Sequence, residues 1–295
     1  MKKPFGIILL ILLSALPLRL SAQPQITASV PDGEPFFFIQ ISDPQLGFRE
    51  ESGITEGSRL LRTTVGVIDS LRPAFVIVTG DMVNRAGDPE QLAAYRQLIG
   101  GIRDDIPVFH LPGNHDIGKY TDARKQAYLE TYGYDRFAFC YGGVAFIGID
   151  SCPIRDGHAE AEDEQYSWLC DRLEEMAACR MKFLFLHCPI VLKERSEAEN
   201  YSNFPMPMRE RYIALLKKYG VDAVFAGHLH NTAYADVEGI RMITCGPSGK
   251  PLGTGFSGMN IVTVYPDRFE ATYVATAAAV EVGNGFAWRS ANVCD

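Results

Sequence analysis

Metal-donor side chains recur at the ends of apolar, strand-like runs along the 295-residue sequence. Seven such residues follow five of these runs: Asp43, Gln45, Asp81, Asn114, His187, His228 and His230. Ligands in open sheet folds collect at one end of the strands, so these side chains are predicted to lie close together. Imidazole and carboxylate donors suit Zn, Mn, Fe and similar ions. The chemistry that the sequence indicates is therefore metal binding.

The number of donors indicates two metal ions rather than one. A single ion needs three or four ligands, whereas seven candidates suffice for two ions that share a carboxylate. His228 and His230 are two residues apart, so in an extended segment they share a face and can approach a common centre. Paired ions activate water and stabilise developing charge, which makes two-metal hydrolysis the natural hypothesis.

Each donor also has an ordinary structural explanation. Asp43 begins an Asp-Pro turn, Asp81 follows a glycine as in many simple turns, and His187 would fit a buried histidine on an apolar strand. The Gly-Asn-His-Asp sequence at 113–116 is rarer, because composition alone would produce it in roughly one chain in a thousand of this length. The occurrence of all these motifs in one sequence favours a functional site.

The elements that must position these residues are strands and helices in alternation, followed by strands alone. The predicted strands are 36–41, 75–79, 107–111, 137–140, 144–149, 183–186, 223–226, 241–244, 260–264 and 269–274. The predicted helices are 57–70, 89–99, 121–132, 163–176 and 208–219. This order predicts an α/β protein with a mixed-sheet core and helices on the outside. Because no repeat or linker follows residue 35, residues 36–295 are predicted to form one domain.

The first 22 residues have the layout of a secretory signal, with two lysines, an apolar stretch and then small residues. A membrane anchor is the rival interpretation, but the uncharged stretch is shorter than the span of about 20 residues that a bilayer requires, and Arg19 interrupts it. Residues 23–35 would then be a lead-in segment. The protein is expected to be exported, either periplasmic or secreted, without a membrane anchor after signal removal.

The sequence is acidic, with a formal net charge of −8. Removal of Lys2, Lys3 and Arg19 with the signal would bring this charge to about −11. The overall electrostatic field of such a negative surface does not favour binding to nucleic acid or to an anionic membrane. A locally positive site made by metal ions remains compatible with it. The seven cysteines include no CxxC spacing, so a zinc ribbon is not indicated.

Five motifs in order carry a resemblance to a known family. They are Asp-x-(His or Gln), Gly-Asp-x-x-Asn, Gly-Asn-His-Asp, a strand-end His and Gly-His-x-His, and together they resemble the calcineurin-like metallophosphoesterases over about 36–274. The resemblance implies a four-layer sandwich of two mixed β-sheets flanked by helices. That fold agrees with the order of predicted elements.

The resemblance also implies a role for each matching residue. One metal would be held by Asp43, Gln45, Asp81 and His230. The second would be held by Asp81, Asn114, His187 and His228, with Asp81 as the bridge. His115 would protonate the leaving oxygen, Asp116 would orient its loop, and Asn84 would support the ligands.

Two positions depart from the family pattern. Gln45 stands where most members have histidine, and an amide oxygen is a harder, weaker donor than imidazole. Two divalent ions are therefore expected, from among Mn, Fe, Zn and Mg, with Mn favoured. Asn84 stands where purple acid phosphatases carry a tyrosine ligand, so no purple iron chromophore is expected.

The expected substrate is a phosphorylated molecule, and the metal ligands alone do not define it further. The Asp-Pro-Gln form of the first motif is similar to a subgroup that includes phosphoprotein phosphatases, which favours a phosphomonoesterase. A phosphodiesterase or nucleotide pyrophosphohydrolase is the alternative enzyme. A non-catalytic metal- or ligand-binding module is the alternative from another class, but all seven ligand positions and His115 are filled. The loops expected to meet substrate are 189–207 and 245–258.

Overall fold

The computed structural model describes residues 23–26, 29–50 and 53–278. The proposed signal at 1–22 lies outside the described residues. The strands of the first sheet are β1 Phe36–Ile41, β2 Val76–Thr79, β3 Val108–Leu111, β10 Gly258–Val264 and β11 Phe269–Ala275. The strands of the second sheet are β4 Phe137–Tyr141, β5 Val144–Gly148, β6 Met181–Phe185, β7 Ala223–Ala226, β8 Ala233–Val237 and β9 Ile240–Thr244.

Both sheets are mixed. The first has the order β11-β10-β1-β2-β3, in which β1, β2 and β3 are parallel and β10 and β11 are antiparallel neighbours. The second has the order β4-β5-β6-β7-β9-β8, with four parallel strands between two antiparallel edge strands. In each sheet the carboxyl ends of the parallel strands lie at the same edge, so the residues that follow these strands lie there too.

Seven helices flank the sheets in the described part of the chain. They are α1 Thr55–Leu71, α2 Pro89–Ile99, α3 Asn114–Ile117, α4 Asp122–Tyr132, α5 Cys152–Asp156, α6 Ala159–Glu175 and α7 Met206–Lys218. The start of α2 is fixed by Asp88, whose side chain accepts the N–H groups of Glu90 and Gln91, and by a proline at the first helical position. None of the described helices combines the length and apolarity that a membrane span requires.

A phenylalanine-rich core holds the two sheets together. Phe38 of β1 is fully buried between them and packs edge-on against Phe146, Phe185 and Phe225 of the second sheet. The next residue along β1, Ile39, points to the opposite face and joins the core beneath the helices. Each fully buried phenylalanine contributes roughly 1.5–3 kcal/mol to folding, so these rings stabilise the packing of one sheet on the other.

The helices pack on the outer faces. Leu61 of α1 and Tyr95 of α2 belong to the core on the outer face of the first sheet. Leu169 of α6 and Ile213 of α7 belong to the core on the outer face of the second. The expected four-layer sandwich of two mixed sheets flanked by helices is therefore confirmed.

Four elements differ from the expectations. The edge strand β8 and the short helix α5 were not predicted, α6 begins at Ala159 rather than at 163, and the Gly-Asn-His-Asp turn continues into the single-turn helix α3. The lead-in segment is also attached to the fold, because Ile26 and Val30 pack partly buried against the core between the sheets. The loop at 245–258 leads into β10 and not into a helix.

Candidate metal centre

The carboxyl ends of β1, β2, β3, β6 and β7 meet at one edge of the sandwich, and all seven predicted donor residues lie there. Two groups of side chains bring ligand atoms within 4.8 Å of one another: Asp81 with His187 and His228, and Asp43 with Asp81 and His230. Asp81 belongs to both groups. The amide residues lie beside them, with the Oδ1 of Asn114 at 3.1 Å from the Nε2 of His187.

Backbone hydrogen bonds hold the first two donor segments side by side. The N–H of Asp43 donates to the carbonyl of Gly80 at 3.1 Å, and the N–H of Gln45 donates to the carbonyl of Asp81 at 2.8 Å. Continued pairing beyond the ends of β1 and β2 fixes the separation of the two carboxylates. The side chains therefore converge because the strands that precede them are neighbours.

Most of the donors have an unusual backbone conformation. Eight described residues other than glycine have a positive φ, and five of them are donors: Asp43, Gln45, Asp81, His228 and His230. Asp and His tolerate this left-handed region better than most residues, but it still costs free energy. Such strain concentrates at functional sites, and here it turns the side chains inward from the strand ends.

Two donor histidines are oriented by backbone carbonyl groups. The Nδ1 of His187 lies 2.7 Å from the carbonyl of Thr79, and the Nδ1 of His230 lies 2.8 Å from the carbonyl of Lys250. A carbonyl accepts, so each Nδ1 carries a proton and each Nε2 is the nitrogen that faces the centre. Both Nε2 atoms face the buried carboxylates, at 3.3 Å from Asp81 and 3.6 Å from Asp43. This arrangement would present both Nε2 atoms to a metal, which displaces any proton that they carry.

His228 differs from the other two. Its Nε2 lies 3.2 Å from the backbone carbonyl of Tyr201, so Nδ1 is the nitrogen left for a metal. The Tyr201 ring packs against the His228 ring, and its hydroxyl accepts a hydrogen bond from Asn114 at 3.1 Å. Tyr201 is 64% exposed, so it lies over the centre and faces solvent.

Asp43 has one satisfied oxygen and one free oxygen. Its Oδ2 accepts hydrogen bonds from the Ser42 hydroxyl at 2.6 Å and the His228 N–H at 3.0 Å. Among the described residues, neither its buried Oδ1 nor the buried Oε1 of Gln45 has a hydrogen-bond partner. Buried oxygens without partners are costly, and two of them at a cluster of metal donors fit a bound cation.

Charge at the centre also fits a cation. Burial raises the pKa of the Asp43 carboxyl, although His230 and His187 lower it. Burial disfavours the charged form of His187, but the Asp81 carboxylate outweighs it and raises the pKa of the imidazole to about 9. Burial and the neighbouring His187 lower the pKa of His228 to about 3, which keeps that ring neutral. The buried carboxylates thus recruit positive charge, which divalent ions would supply.

Asp116 ties two donor segments together. Its carboxylate accepts hydrogen bonds from the N–H groups of Asp81, Met82, Val83 and Gly113, at distances between 2.7 and 3.3 Å. Burial and the Asp81 charge raise the pKa of Asp116, and the backbone donors oppose that shift. Asp116 therefore acts on the shape of the centre through the backbone, as the sequence suggested for its loop.

His115 lies between the donors and a cavity. Its N–H donates to the Oδ1 of Asp81 at 2.7 Å, and its Nδ1 lies 2.7 Å from the carbonyl of Asn84. The same reasoning as for His187 puts the proton on Nδ1 and leaves Nε2 free. His115 and Asn114 line a cavity of about 610 Å³ that opens beside the donors. A side chain placed in this way can exchange a proton with a ligand in the cavity.

Two further arginines have different roles. Arg195 pairs with Glu210 and Glu238 in a charge cluster at the surface. Arg155 lines the cavity with its guanidinium 5.8 Å from the centre of the Tyr201 ring, and no sequence motif marked it. It follows Cys152 and Pro153 in the short helix α5, which lacks a recognisable periodicity.

A sandwich of two mixed sheets with paired donor groups at the strand ends defines a metal-dependent hydrolase. The family model described as "Calcineurin-like phosphoesterase" matches residues 38–232. The chain belongs to this family and is a hydrolase of phosphoric esters that uses divalent metal ions.

Individual proteins support the same assignment. "Serine/threonine-protein phosphatase CPPED1" from Danio rerio is 31% identical over 251 residues, which are 78% of this chain and 81% of that protein. A purple acid phosphatase from yellow lupin (Lupinus luteus) seeds superimposes with a TM-score of 0.64 at 18% identity, over 85% of this chain and 54% of that one. A dimetal phosphatase from Danio rerio does so with a TM-score of 0.61 at 15% identity, over 82% and 96%. The two structures support the fold.

Proposed function

We propose that this protein is a dinuclear phosphomonoesterase that acts on phosphorylated protein. The observation that carries the proposal is the buried Asp81 carboxylate, which belongs to both groups of donor atoms. One ion would be held by Asp43, Gln45, Asp81 and His230. The other would be held by Asp81, Asn114, His187 and His228. When bound, such ions activate water as a nucleophile and neutralise charge on the phosphoryl oxygens.

The chain's own contribution beyond the ligands centres on His115. Its ring is fixed through Nδ1 by the Asn84 carbonyl, so Nε2 is directed to receive and deliver one proton. In the proposed reaction His115 protonates the leaving oxygen of the substrate. A correctly positioned acid of this kind contributes about 10²–10⁴-fold to rate.

Manganese is the proposed metal. Gln45 offers an amide oxygen, which suits Mn or Mg better than Zn. Asn84 donates no phenolate, and the lack of a tyrosine there supports a centre without a purple iron chromophore. These donors are harder than those of an all-imidazole site.

A phosphoprotein substrate is supported by two observations. Relatives such as the Danio rerio phosphatase are named for action on serine and threonine side chains of proteins. The cavity beside His115 is open to solvent and bordered by exposed Tyr201, so a phosphorylated side chain on a larger molecule can reach it. A phosphodiester or a nucleotide pyrophosphate is the competing substrate class.

The decisive experiment measures metal content and substrate preference together. Purified protein is loaded with Mn, its metal is quantified by mass spectrometry, and hydrolysis of a phosphoserine peptide, an aryl phosphate and a bis-aryl phosphate is compared. Near two ions per chain with preference for the monoesters supports the proposal. Preference for the diester overturns the monoesterase assignment. Neither metal nor turnover would indicate a non-catalytic module.

We also propose that the protein is exported. The lysines, apolar stretch and small residues of 1–22 support this. Expression of the full chain followed by fractionation should place it outside the cytoplasm with its N-terminus near residue 23. Retention in the cytoplasm with an uncleaved N-terminus would contradict the proposal.

A further inference from the structure

The cavity beside His115 concentrates positive charge in an acidic protein. Four basic side chains line it: Arg85, Lys119, Arg124 and Arg155. Asp116 is the one carboxylate residue among the described residues of the lining, and its oxygens are already used by four backbone N–H groups. The chain as a whole has a net charge of −8. The cavity is therefore a local exception to the charge of the molecule.

Only half of this positive charge is balanced by nearby acidic groups. Two of the four basic residues have an acidic neighbour, at 2.8 Å and 3.6 Å respectively: Arg155 with Asp156 and Arg85 with Asp88. Lys119 and Arg124 are exposed, and neither has an ion-pair partner among the residues that the structure describes. Two positive charges thus border the cavity without compensation.

The backbone places Arg124 next to the segment that carries His115. Arg124 stands in the first turn of α4, and this helix lines the cavity with a stripe at helical spacing that also includes Ala127, Tyr128 and Thr131. Its guanidinium lies against Gly118, the residue that ends α3, where an added Cβ would overlap it. Gly118 has φ +75°, a conformation that favours glycine. The absence of a side chain there leaves space for the guanidinium.

The position of His115 tells which part of a substrate would occupy the cavity. The phosphoryl group belongs at the donor residues, and an acid that protonates the leaving oxygen must lie on the leaving-group side. His115 lines the same cavity as Lys119 and Arg124. A leaving group whose oxygen is protonated by His115 would therefore extend into this cavity.

We propose that the cavity is a subsite for a second negatively charged group, carried on the leaving-group side of the phosphoester. Lys119 and Arg124 are its specificity-determining residues. This inference rests on the proposed function, because it uses the direction of the reaction at His115. The ligand class is an anion, either a carboxylate or a second phosphate, and a guanidinium binds both. Ordinary solvated surface charge is the rival explanation, and it predicts no discrimination among substrates.

The test compares three phosphoserine peptides that differ in the residues beside the phosphoserine. One carries glutamates, one carries a second phosphoserine and one carries glutamines. They are assayed with the wild type, the Lys119→Gln/Arg124→Gln variant and the control Arg62→Gln. Arg62 is an exposed residue of α1 that does not line the cavity. Both altered residues are exposed, so the double variant should fold normally.

We expect wild-type kcat/KM for an anionic peptide to exceed that for the glutamine peptide by about tenfold at low salt, as two partly exposed charge contacts allow. The ratio should fall close to one in the double variant and remain unchanged in the control. High salt should reduce it. Whichever anionic peptide shows the larger ratio identifies the group as carboxylate or phosphate. A ratio near one in the wild type, or an equal loss of the ratio in the control, overturns the proposal.

Equilibrium binding separates this inference from the proposed function. Fluorescence anisotropy with labelled peptides is measured on Mn-loaded His115→Ala protein, with and without the Lys119→Gln/Arg124→Gln changes. If no peptide is hydrolysed by any form of the protein, the proposed function fails. A Kd ratio that favours the anionic peptide and disappears in the double variant still supports the anion subsite, and equal Kd values for all peptides overturn it.

Discussion

The carboxylate of Asp116 accepts a hydrogen bond from the backbone N–H of Asp81 at 2.7 Å. The same carboxylate accepts the N–H of Gly113 at 2.8 Å, so it connects the segment after β2 to the segment after β3. Since Asp81 belongs to both donor groups, the position of its backbone influences both proposed ions. Asp116 is buried and does not belong to either group of donor atoms.

Replacement of Asp116 by asparagine tests this connection. Asp116→Asn places an amide donor among backbone donors and leaves some of them without an acceptor, so we expect a loss of about 2–3 kcal/mol in the free energy of unfolding. Mn affinity should fall by about 10–100-fold, as for other outer-shell changes. Urea denaturation and metal titration measure the two effects. Asp122→Asn, at an exposed position in α4, is the control, and an Asp116→Asn protein with wild-type affinity would refute the connection.

His115→Ala should reduce turnover without loss of metal. The ring supplies the proposed acid while donating no ligand atom to either donor group, so we expect kcat to fall by about a hundredfold or more with Mn content unchanged. Steady-state kinetics and mass spectrometry of the metal measure these quantities. His158→Ala removes a histidine from the start of α6 and serves as the control. Unchanged turnover would exclude His115 as the acid.

Gln45→His should increase the metal affinity of the site that includes residue 45. Gln45 has φ 35°, a region that histidine tolerates, and its buried Oε1 has no hydrogen-bond partner in the described part of the chain. An imidazole there is a better donor for zinc, so we expect Zn affinity to rise by about tenfold. Competition with a chromogenic chelator measures it. Gln126→His, on the exposed face of α4, should bind no tighter than wild type, and a Gln45→His protein that resembles it would contradict the assignment of Gln45 as a ligand.

Gly113→Ala should damage the centre through a single methyl group. A Cβ at Gly113 would overlap the backbone nitrogen and side chain of Asp81, so we expect a loss of about 1–3 kcal/mol together with reduced metal content. Gly66→Ala is the matched control, because that glycine lies in α1 and an added Cβ would meet none of the described residues within 4 Å apart from the backbone of its own helix. The control should gain about 0.5–1 kcal/mol. A Gly113→Ala protein with normal stability and metal would show that this close approach is unimportant.

His110 should make the fold sensitive to mild acid. Burial lowers the pKa of His110 on β3 from the ordinary value of 6.5 to about 4. Between these values the unfolded chain binds more protons than the folded chain, so the free energy of unfolding decreases as the pH falls. From pH 7 to pH 5 the contribution is about 2 kcal/mol. His110→Phe keeps an aromatic ring beside Tyr95 and Tyr132.

Urea denaturation at the two pH values, on wild type and His110→Phe, measures that contribution. The wild type should lose about 2 kcal/mol more than the variant on moving from pH 7 to pH 5. The comparison cancels the titration of all groups that the two proteins share. Equal losses would mean that the imidazole of His110 is protonated in the folded protein without penalty.

Most of the strands could be predicted from the sequence, but very little of their pairing could. Apolar runs revealed ten of the eleven described strands, because buried strands are rich in branched and aromatic residues. The edge strand β8 is half-exposed, with Tyr234 54% accessible, so its composition did not distinguish it from a loop. The insertion of β9 between β7 and β8 depends on contacts between distant segments, which local periodicity does not record.

The site was predictable to the extent that its residues share a position in the chain. Each donor follows a strand, and the carboxyl ends of parallel strands meet in space. Tyr201 and Arg155 reach the same place from a loop and a short helix, where no pattern fixes the direction of the chain. The left-handed conformation of donors such as Asp81 was also invisible in the sequence, since carboxylates adopt it in only a minority of cases.

The donor residues come from both sheets of the sandwich, with Asp43 and Asp81 on the first and His187 and His230 on the second. Each proposed ion would therefore be bound by residues of both sheets and would connect the sheets along a single edge. The phenylalanine core stabilises the packing of the two sheets in the middle of the sandwich and does not depend on metal. Removal of the ions should therefore loosen only the edge that carries the donor residues. The protein would lose substrate binding before it unfolded.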